Sequence, residues 1–245
     1  MSNASGVLVG ADKKGEWLLP WFYSHFQTHN SNLAMAFADF GMSLEALAWC
    51  QKKGKVFTVP EILTLDTKQT GFFFQGELWK EWKLDLTTVA PERWVCFRKP
   101  VALVNSPFEK TLWLDLDCQV RGDLSPLFSL SLPSSKLGVT PCGSFTHVHN
   151  LSKEHVILMD KYNTGVILVE KNSPLLHQWL SLSSGQAFFR TDEGSLSFLI
   201  DRNQREITEI PHRYNWPASN WGENEEALIY HWLGKEGKLF LKTCI

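Results

Sequence analysis

Asp115 and Asp117 stand one residue apart at the end of the apolar run Thr111-Leu112-Trp113-Leu114. If the strand continues through them, side chains alternate, so both carboxylates face one side and Leu114 and Leu116 the other. Two like charges that close repel unless a cation lies between them. A hard divalent ion, magnesium or manganese, held by carboxylate, imidazole and oxygen ligands meets that need. Taken alone, Asp-x-Asp reads equally well as two solvated loop acids. His231, after Leu228-Ile229-Tyr230, is either a structural histidine or the imidazole of such a site, and the upstream acids favour the second. Asp192-Glu193 are either site acids or first-turn helix acids favoured by the helix dipole. His147 and His149 have no acidic or thiol partner nearby in sequence and read as an exposed loop. Lys13-Lys14 reads as a solvated turn whose place would also suit a phosphate.

These groups need a scaffold, and the sequence supplies an alternating one. Residues 7–11 form an apolar strand, a loop at 12–15 follows, and helical spacing begins at Glu16. Residues 33–39 give a second buried strand. Ser43 is the N-cap of a helix that stops at Lys52-Lys53-Gly54, and a third strand at 55–59 ends at Pro60. This order predicts an α/β fold with a mainly parallel sheet covered on both faces. At the carboxyl end of a central strand, the Asp pair then faces the crevice where such sheets bind ligands. Residues 61–90 read as a variable, partly helical excursion, and 91–106 as helical on both sides of a kink or break at Lys99-Pro100. Strands at 136–140 and 165–169, helices from Pro174 and after Asp192, and a late strand at 228–230 complete the pattern. Without repeats or Pro/Gly/Ser-rich linkers, residues 1–245 read as one domain, with 1–6 a flexible or added lead.

Composition removes several function classes. A 245-residue chain that is 44% hydrophobic and 20% charged is globular. Its 24 Lys plus Arg against 26 Asp plus Glu give a net charge of −2, too little basic field for nucleic acid as the main partner. Nothing approaches the roughly 20 apolar residues of a membrane span, and the polar start lacks the order of a signal peptide. No integral membrane segment and a cytoplasmic location are therefore expected. Five unclustered cysteines fit neither a disulfide framework nor a zinc cluster and read as small buried thiols. Most of the 11 tryptophans are expected in the core. Trp216 and Trp221, in an irregular stretch before His231, either cover a ligand or pack, the latter being favoured.

Residues 113–128, Trp-Leu-Asp-Leu-Asp-Cys-Gln-Val-Arg-Gly-Asp-Leu-Ser-Pro-Leu-Phe, resemble the strand, metal pair, short strand and Gly-Asp-Leu-x-x-Leu-Phe turn of glycosyltransferase family 8. These are retaining enzymes of GT-A fold that include glycogenin and bacterial galactosyl- and glucosyltransferases. Tyr162-Asn163-Thr164-Gly165-Val166, Asp192-Glu193 and the segment 231–238 are similar to later motifs in the family's order. The resemblance implies a Rossmann-like GT-A domain with a small second sheet near a metal site. It implies Asp115, Asp117 and His231 as ligands of Mn2+ or Mg2+, and Ala11, Asp12, Lys99, Leu116 and Lys238 as donor-binding residues, with Lys238 on the diphosphate. Asn163 and Asp192 would contact the transferred sugar. Glu193 stands where most members have Gln, and Gly237 where the phosphate lysine usually stands, so either Lys238 or Lys235 takes that role. The activity implied is metal-dependent transfer of a hexose, glucose or galactose, from a UDP-sugar to a hydroxyl of a glycan, lipid-linked sugar or protein, with retention. No covalent nucleophile stands out, so front-side attack supported by Asp192 or Glu193 is the expected route. Two alternatives stay open: a non-catalytic nucleotide-sugar or glycan binder of the same fold, and a metal-dependent nucleotidyltransferase. The second lacks an evident Gly-rich basic loop for a triphosphate.

Overall fold

The computed structural model describes residues 4–60, 72–74, 77–79, 91–142, 148–151, 156–159, 161–184, 191–202 and 204–245. Its strands are β1 (Ser5–Ala11), β2 (Met35–Asp39), β3 (Lys55–Thr58), β4 (Phe72–Phe74), β5 (Glu77–Trp79), β6 (Lys110–Leu114), β7 (Cys118–Val120), β8 (Leu137–Pro141), β9 (Val148–Leu151), β10 (Val156–Met159), β11 (Tyr162–Glu170), β12 (Thr208–Glu209) and β13 (Ile229–His231). Its α-helices are α1 (Leu19–Asn30), α2 (Leu44–Gln51), α3 (Lys99–Val104), α4 (Ser125–Phe128), α5 (Pro174–Ser184), α6 (Asp192–Arg202), α7 (Ala218–Trp221) and α8 (Gly234–Cys244).

Seven strands form the central sheet in the order β12-β8-β11-β6-β1-β2-β3. Every neighbouring pair is parallel except those of β11, which runs antiparallel to β6 and β8. The expected mainly parallel α/β sheet is thus present. Alternation sorts the side chains cleanly: Val7, Val9, Leu112, Leu114, Val166 and Leu168 enter one core, while Leu8, Trp113, Ile167 and Val169 enter the other. The first core is covered by Leu19, Phe22 and Phe26 of α1 and Leu241 of α8, the second by α3, α5 and α6, with Trp179 at its centre. Each such fully buried apolar side chain contributes about 1.5–3 kcal/mol.

Local chemistry sets the boundaries. Ser43 caps α2, its Oγ accepting the Ala46 N–H at 3.2 Å. Where a kink or break was expected at Lys99-Pro100, a 3-10 stretch (Pro91–Arg98) passes into α3, and Pro100 occupies its first turn, where no amide donor is needed. Most of the expected excursion at 61–90 lies outside the described residues; 72–74 and 77–79 pair as antiparallel strands and are not helical. His147 lies outside them too, whereas His149 sits in β9, a strand and not the expected loop. Cys50 and Cys118 are buried as expected, but Cys96 and Cys244 are exposed, and all five cysteines are unbridged. No helix among the described residues is long and apolar enough to cross a membrane.

Two departures from regular pairing shape the functional end of the sheet. Between β11 and β8 the register jumps from Asn163↔Thr140 to Ile167↔Val139, so 164–166 bulge away from β8. Separately, β7 and β13 pair in a two-stranded sheet in which His231 lies opposite Cys118. This second sheet brings the late histidine beside the end of the Asp pair.

Candidate active site

The strand leading to the Asp pair ends at Leu114. Residues 115–117 form a turn in which the Cys118 N–H donates to the Asp115 carbonyl at 3.0 Å. The carboxylates are therefore aimed by a turn and not by strand alternation, and they meet different partners. Asp115 Oδ1 accepts the Trp113 indole N–H at 2.7 Å, and Lys99 Nζ lies 3.1 Å from the same oxygen. Asp117 Oδ1 lies 3.2 Å from His231 Nε2, and its Oδ2 is 3.8 Å from Lys238 Nζ.

Lys99 is buried at the centre of the site. Its ammonium pairs with Asp192 Oδ2 at 2.8 Å and donates to the Thr164 carbonyl at 2.9 Å and hydroxyl at 3.1 Å. Burial alone would push this ammonium down, but the Asp115 and Asp192 carboxylates outweigh it and hold its pKa above the ordinary lysine value. Burial likewise opposes ionisation of Asp117, yet the His231 ring and Lys238 ammonium keep its carboxyl below the usual value. Burial, together with Asp117 and Asp115, drives the Cys118 thiol well up, so it remains a thiol, with Sγ 3.8 Å from the Gly165 carbonyl.

Gly165 explains how His231 fits. A methyl group there would lie 2.5 Å from His231 Nδ1, closer still to Cε1, and 3.0 Å from Asn163 Oδ1, so the imidazole rests directly on bare backbone. The ring's other nitrogen is also held. His231 Nδ1 is 2.8 Å from Asn215 Oδ1, Asn215 Nδ2 donates to Asn163 Oδ1 at 2.8 Å, and Asn163 Nδ2 donates to Glu193 Oε1 at 2.6 Å. Thr191 Oγ1 accepts the Gly194 N–H at 3.0 Å, capping α6 and fixing the acids that follow it.

A cavity of about 480 Å³ gathers most of the candidate residues. Ala11, Asp12, Lys99, Asp115, Leu116, Asp117, Asp192, Glu193, His231 and Lys238 all line it, as does Lys14; Asn163 reaches it through Glu193. Lys238 and not Lys235 is among the lining residues. Position 237 has no room for a side chain, because a Cβ there would overlap the Trp232 carbonyl, so the lysine of α8 follows one residue later. Asp12 also closes the loop after β1, its Oδ1 accepting the Gly15 N–H at 2.7 Å. Trp216 packs with Ala218, Ala227 and Tyr230, as the packing reading expected. The sequence reading missed Thr164 and Asn215: the first had a signal, as the middle residue of Asn163-Thr164-Gly165, and the second had none.

The donor set fits a divalent cation. Ligand atoms of Asp117, Cys118 and His231 lie within 4.8 Å of one another, and Asp115 is not in that group. The 3.2 Å between Asp117 Oδ1 and His231 Nε2 matches the roughly 3 Å separating adjacent ligands of an octahedral ion bound at about 2.1 Å. Around the cavity stand the carboxylates of Asp12, Asp115, Asp117, Asp192 and Glu193 against the ammonium groups of Lys14, Lys99 and Lys238. Such a surplus of negative charge repels an anion unless a cation accompanies it.

No protein-family model matches the chain, and no curated protein matches it by sequence. Solved structures do. Glycosyltransferase GlyE of Streptococcus pneumoniae TIGR4 aligns with TM-score 0.58 and 17% identity over 96% of this chain, which spans 55% of GlyE. Galactosyltransferase LgtC, solved with donor and acceptor sugar analogues, aligns with TM-score 0.53 and 14% identity, covering 97% of this chain and 94% of LgtC. Mouse xyloside xylosyltransferase 1 gives TM-score 0.53 and 14% identity over 94% of this chain and 97% of its own. The parallel sheet with its one reversed strand, the flanking helices and the small sheet carrying His231 are those of the GT-A glycosyltransferase fold.

Proposed function

We propose that the protein is a metal-dependent, retaining glycosyltransferase that moves a hexose, glucose or galactose, from a UDP-sugar to a hydroxyl of a glycan, lipid-linked sugar or protein. The observation that carries this reading is the cavity itself. In a GT-A fold, it sets Asp117 and His231 at ligand spacing within a lining whose excess of carboxylates would reject a diphosphate arriving alone. Asp117 and His231 would hold Mn2+ or Mg2+, with Asp115 beside them. The ion, when bound, supplies positive charge to a departing diphosphate.

The remaining roles belong to the chain. Lys238 is half-exposed on a long side chain, within reach of Asp117, and is positioned to hold diphosphate oxygen and stabilise the leaving UDP. Ala11, Asp12 and Leu116 form the wall against which the nucleoside lies. Asp192 Oδ2 is engaged by Lys99 and by the Thr164 hydroxyl at 2.8 Å, so it anchors the floor of the cavity. Glu193, oriented by Asn163, is the carboxylate presented to the sugar, where it favours positive charge developing at the anomeric carbon. The acceptor hydroxyl then attacks from the face the diphosphate leaves, passing its proton to the departing phosphate oxygen.

Calorimetric titration of UDP and a panel of UDP-sugars, with and without Mn2+, tests the reading against wild type and Asp117→Ala. Metal-dependent binding that disappears in the variant is expected. Absence of binding by wild type to every member of the panel would refute it. Release of free UDP separates a transferase from a nucleotidyltransferase, which releases pyrophosphate.

A further inference from the structure

One backbone amide fixes the sense of the whole hydrogen-bond chain behind His231. The Gly165 N–H can only donate, and it donates to Asn163 Oδ1 at 2.9 Å. That assigns the oxygen of Asn163, so its Nδ2 is the atom facing Glu193 Oε1. Asn215 approaches the same oxygen at 2.8 Å and must present Nδ2 to it, which leaves Asn215 Oδ1 facing His231 Nδ1 at 2.8 Å. The flipped amide would set oxygen against oxygen at one end. An amide oxygen only accepts, so Nδ1 of His231 carries a hydrogen.

We infer that Asn215 is a positioning residue for the metal ligand: it holds His231 with hydrogen on Nδ1, so that Nε2 is the nitrogen turned to Asp117 and to a cation bound there, and it links that ligand through Asn163 to Glu193. The metal half of this statement rests on the function proposed above; the hydrogen-bond sense does not. Asn215 and His231 are 3% and 2% exposed, so water competes little for these contacts. The asparagine is itself pinned. Its N–H donates to the His212 carbonyl, and the next residue, Trp216, donates to Ile229 and accepts from the His231 N–H at 2.7 Å, tying the segment to β13. Losing a residue that orients a ligating histidine through its second nitrogen typically lowers metal affinity by about 10–100-fold.

The test combines Mn2+ titration in the presence of UDP, followed by electron paramagnetic resonance, with long-range 1H–15N NMR of the His231 ring. Asn215→Leu is expected to weaken Mn2+ binding by about 10–100-fold, while Asn215→Asp, which keeps an acceptor for Nδ1–H but sets its second oxygen against Asn163 Oδ1, recovers part of that loss. NMR should find hydrogen on Nδ1 in the metal-free protein, retained with Mg2+ and UDP bound. His231 carrying hydrogen on Nε2 alone overturns the inference, as does a folded Asn215→Leu protein with wild-type Mn2+ affinity. If wild type binds no Mn2+, the metal reading fails and the metal-free NMR result alone decides the hydrogen-bond sense. If Asn215→Leu does not fold, the Asn215→Asp titration and the wild-type spectra carry the decision.

Discussion

Replacing Gly165 by alanine isolates the contact on which the proposed metal site is built. Gly165 is not among the glycines with positive φ, which among the described residues are Gly41, Gly222 and Gly234, so alanine brings no backbone penalty and acts through its methyl group alone. That methyl would lie 2.5 Å from His231 Nδ1, whereas ordinary non-bonded contacts fall at about 3.5–4.0 Å. The ring must therefore retreat by about 1 Å. It cannot do so while keeping Nδ1 2.8 Å from Asn215 and Nε2 3.2 Å from Asp117. Overpacking of this kind costs about 1–3 kcal/mol, which for a chain of this size lowers Tm by about 2–12 °C. The same displacement should weaken Mn2+ binding by about 10–100-fold, the range for a misoriented ligand. Thermal unfolding and Mn2+ titration by electron paramagnetic resonance on one preparation measure both. A Gly165→Ala protein with unchanged Tm and unchanged Mn2+ affinity would show that the imidazole does not rest on this backbone, and the site geometry would be wrong.

Lys99→Met leaves the Asp115 and Asp192 carboxylates without their shared ammonium; the expected loss is about 3 kcal/mol, read by urea unfolding, and a change under 1 kcal/mol would contradict a buried ion-pair hub. Glu193→Gln keeps an oxygen for Asn163 but removes the charge, so turnover should fall about 100-fold with UDP binding unchanged; equal loss of binding and turnover would argue against a role on the sugar. Mn2+ with UDP at about 100 times the dissociation constant should stabilise wild type by about 2.7 kcal/mol and Asp117→Ala not at all, a contrast read by thermal shift. Ser43→Ala, at a residue that does not line the cavity, should cost about 1 kcal/mol through loss of the α2 cap and leave Mn2+ affinity untouched, which calorimetry checks.

The scaffold was legible because its signals are short-range and repeated. Apolar runs at β1, β2 and β6 alternate with helices, and Ser43 marks the start of α2 by a side-chain bond to the backbone three residues on. The reading erred where the backbone left regular geometry. Strand alternation was extended through Asp117, but the strand ends at Leu114, because Asp115 must turn to meet Lys99 and the Trp113 indole. Helix on both sides of Pro100 is present as expected, with the junction between Arg98 and Lys99, where a 3-10 stretch passes into α3 and Pro100 lies in a first turn that needs no amide donor.

The site divides along the same line, and the division is physical. Most of the polar residues that face the cavity were reached from sequence because they bear a group whose chemistry is legible alone, a carboxylate, an imidazole or an ammonium, whereas Thr164 faces it and bears none. Residues that orient those groups do not advertise themselves. Asn215 lies in an irregular stretch with no periodicity, and its importance arises only when β13 pairs with β7 and sets His231 beside it. Gly165 looks like one more strand glycine until the β11 bulge lays an imidazole on it. Lys99 looked like a basic group for the donor, yet its ammonium is enclosed by Asp115, Asp192 and Thr164, so its charge acts on a ligand only as part of that cluster. The surplus of carboxylates that remains around the cavity, and not any single motif, is what would make a cation the natural companion of the anionic donor proposed for it.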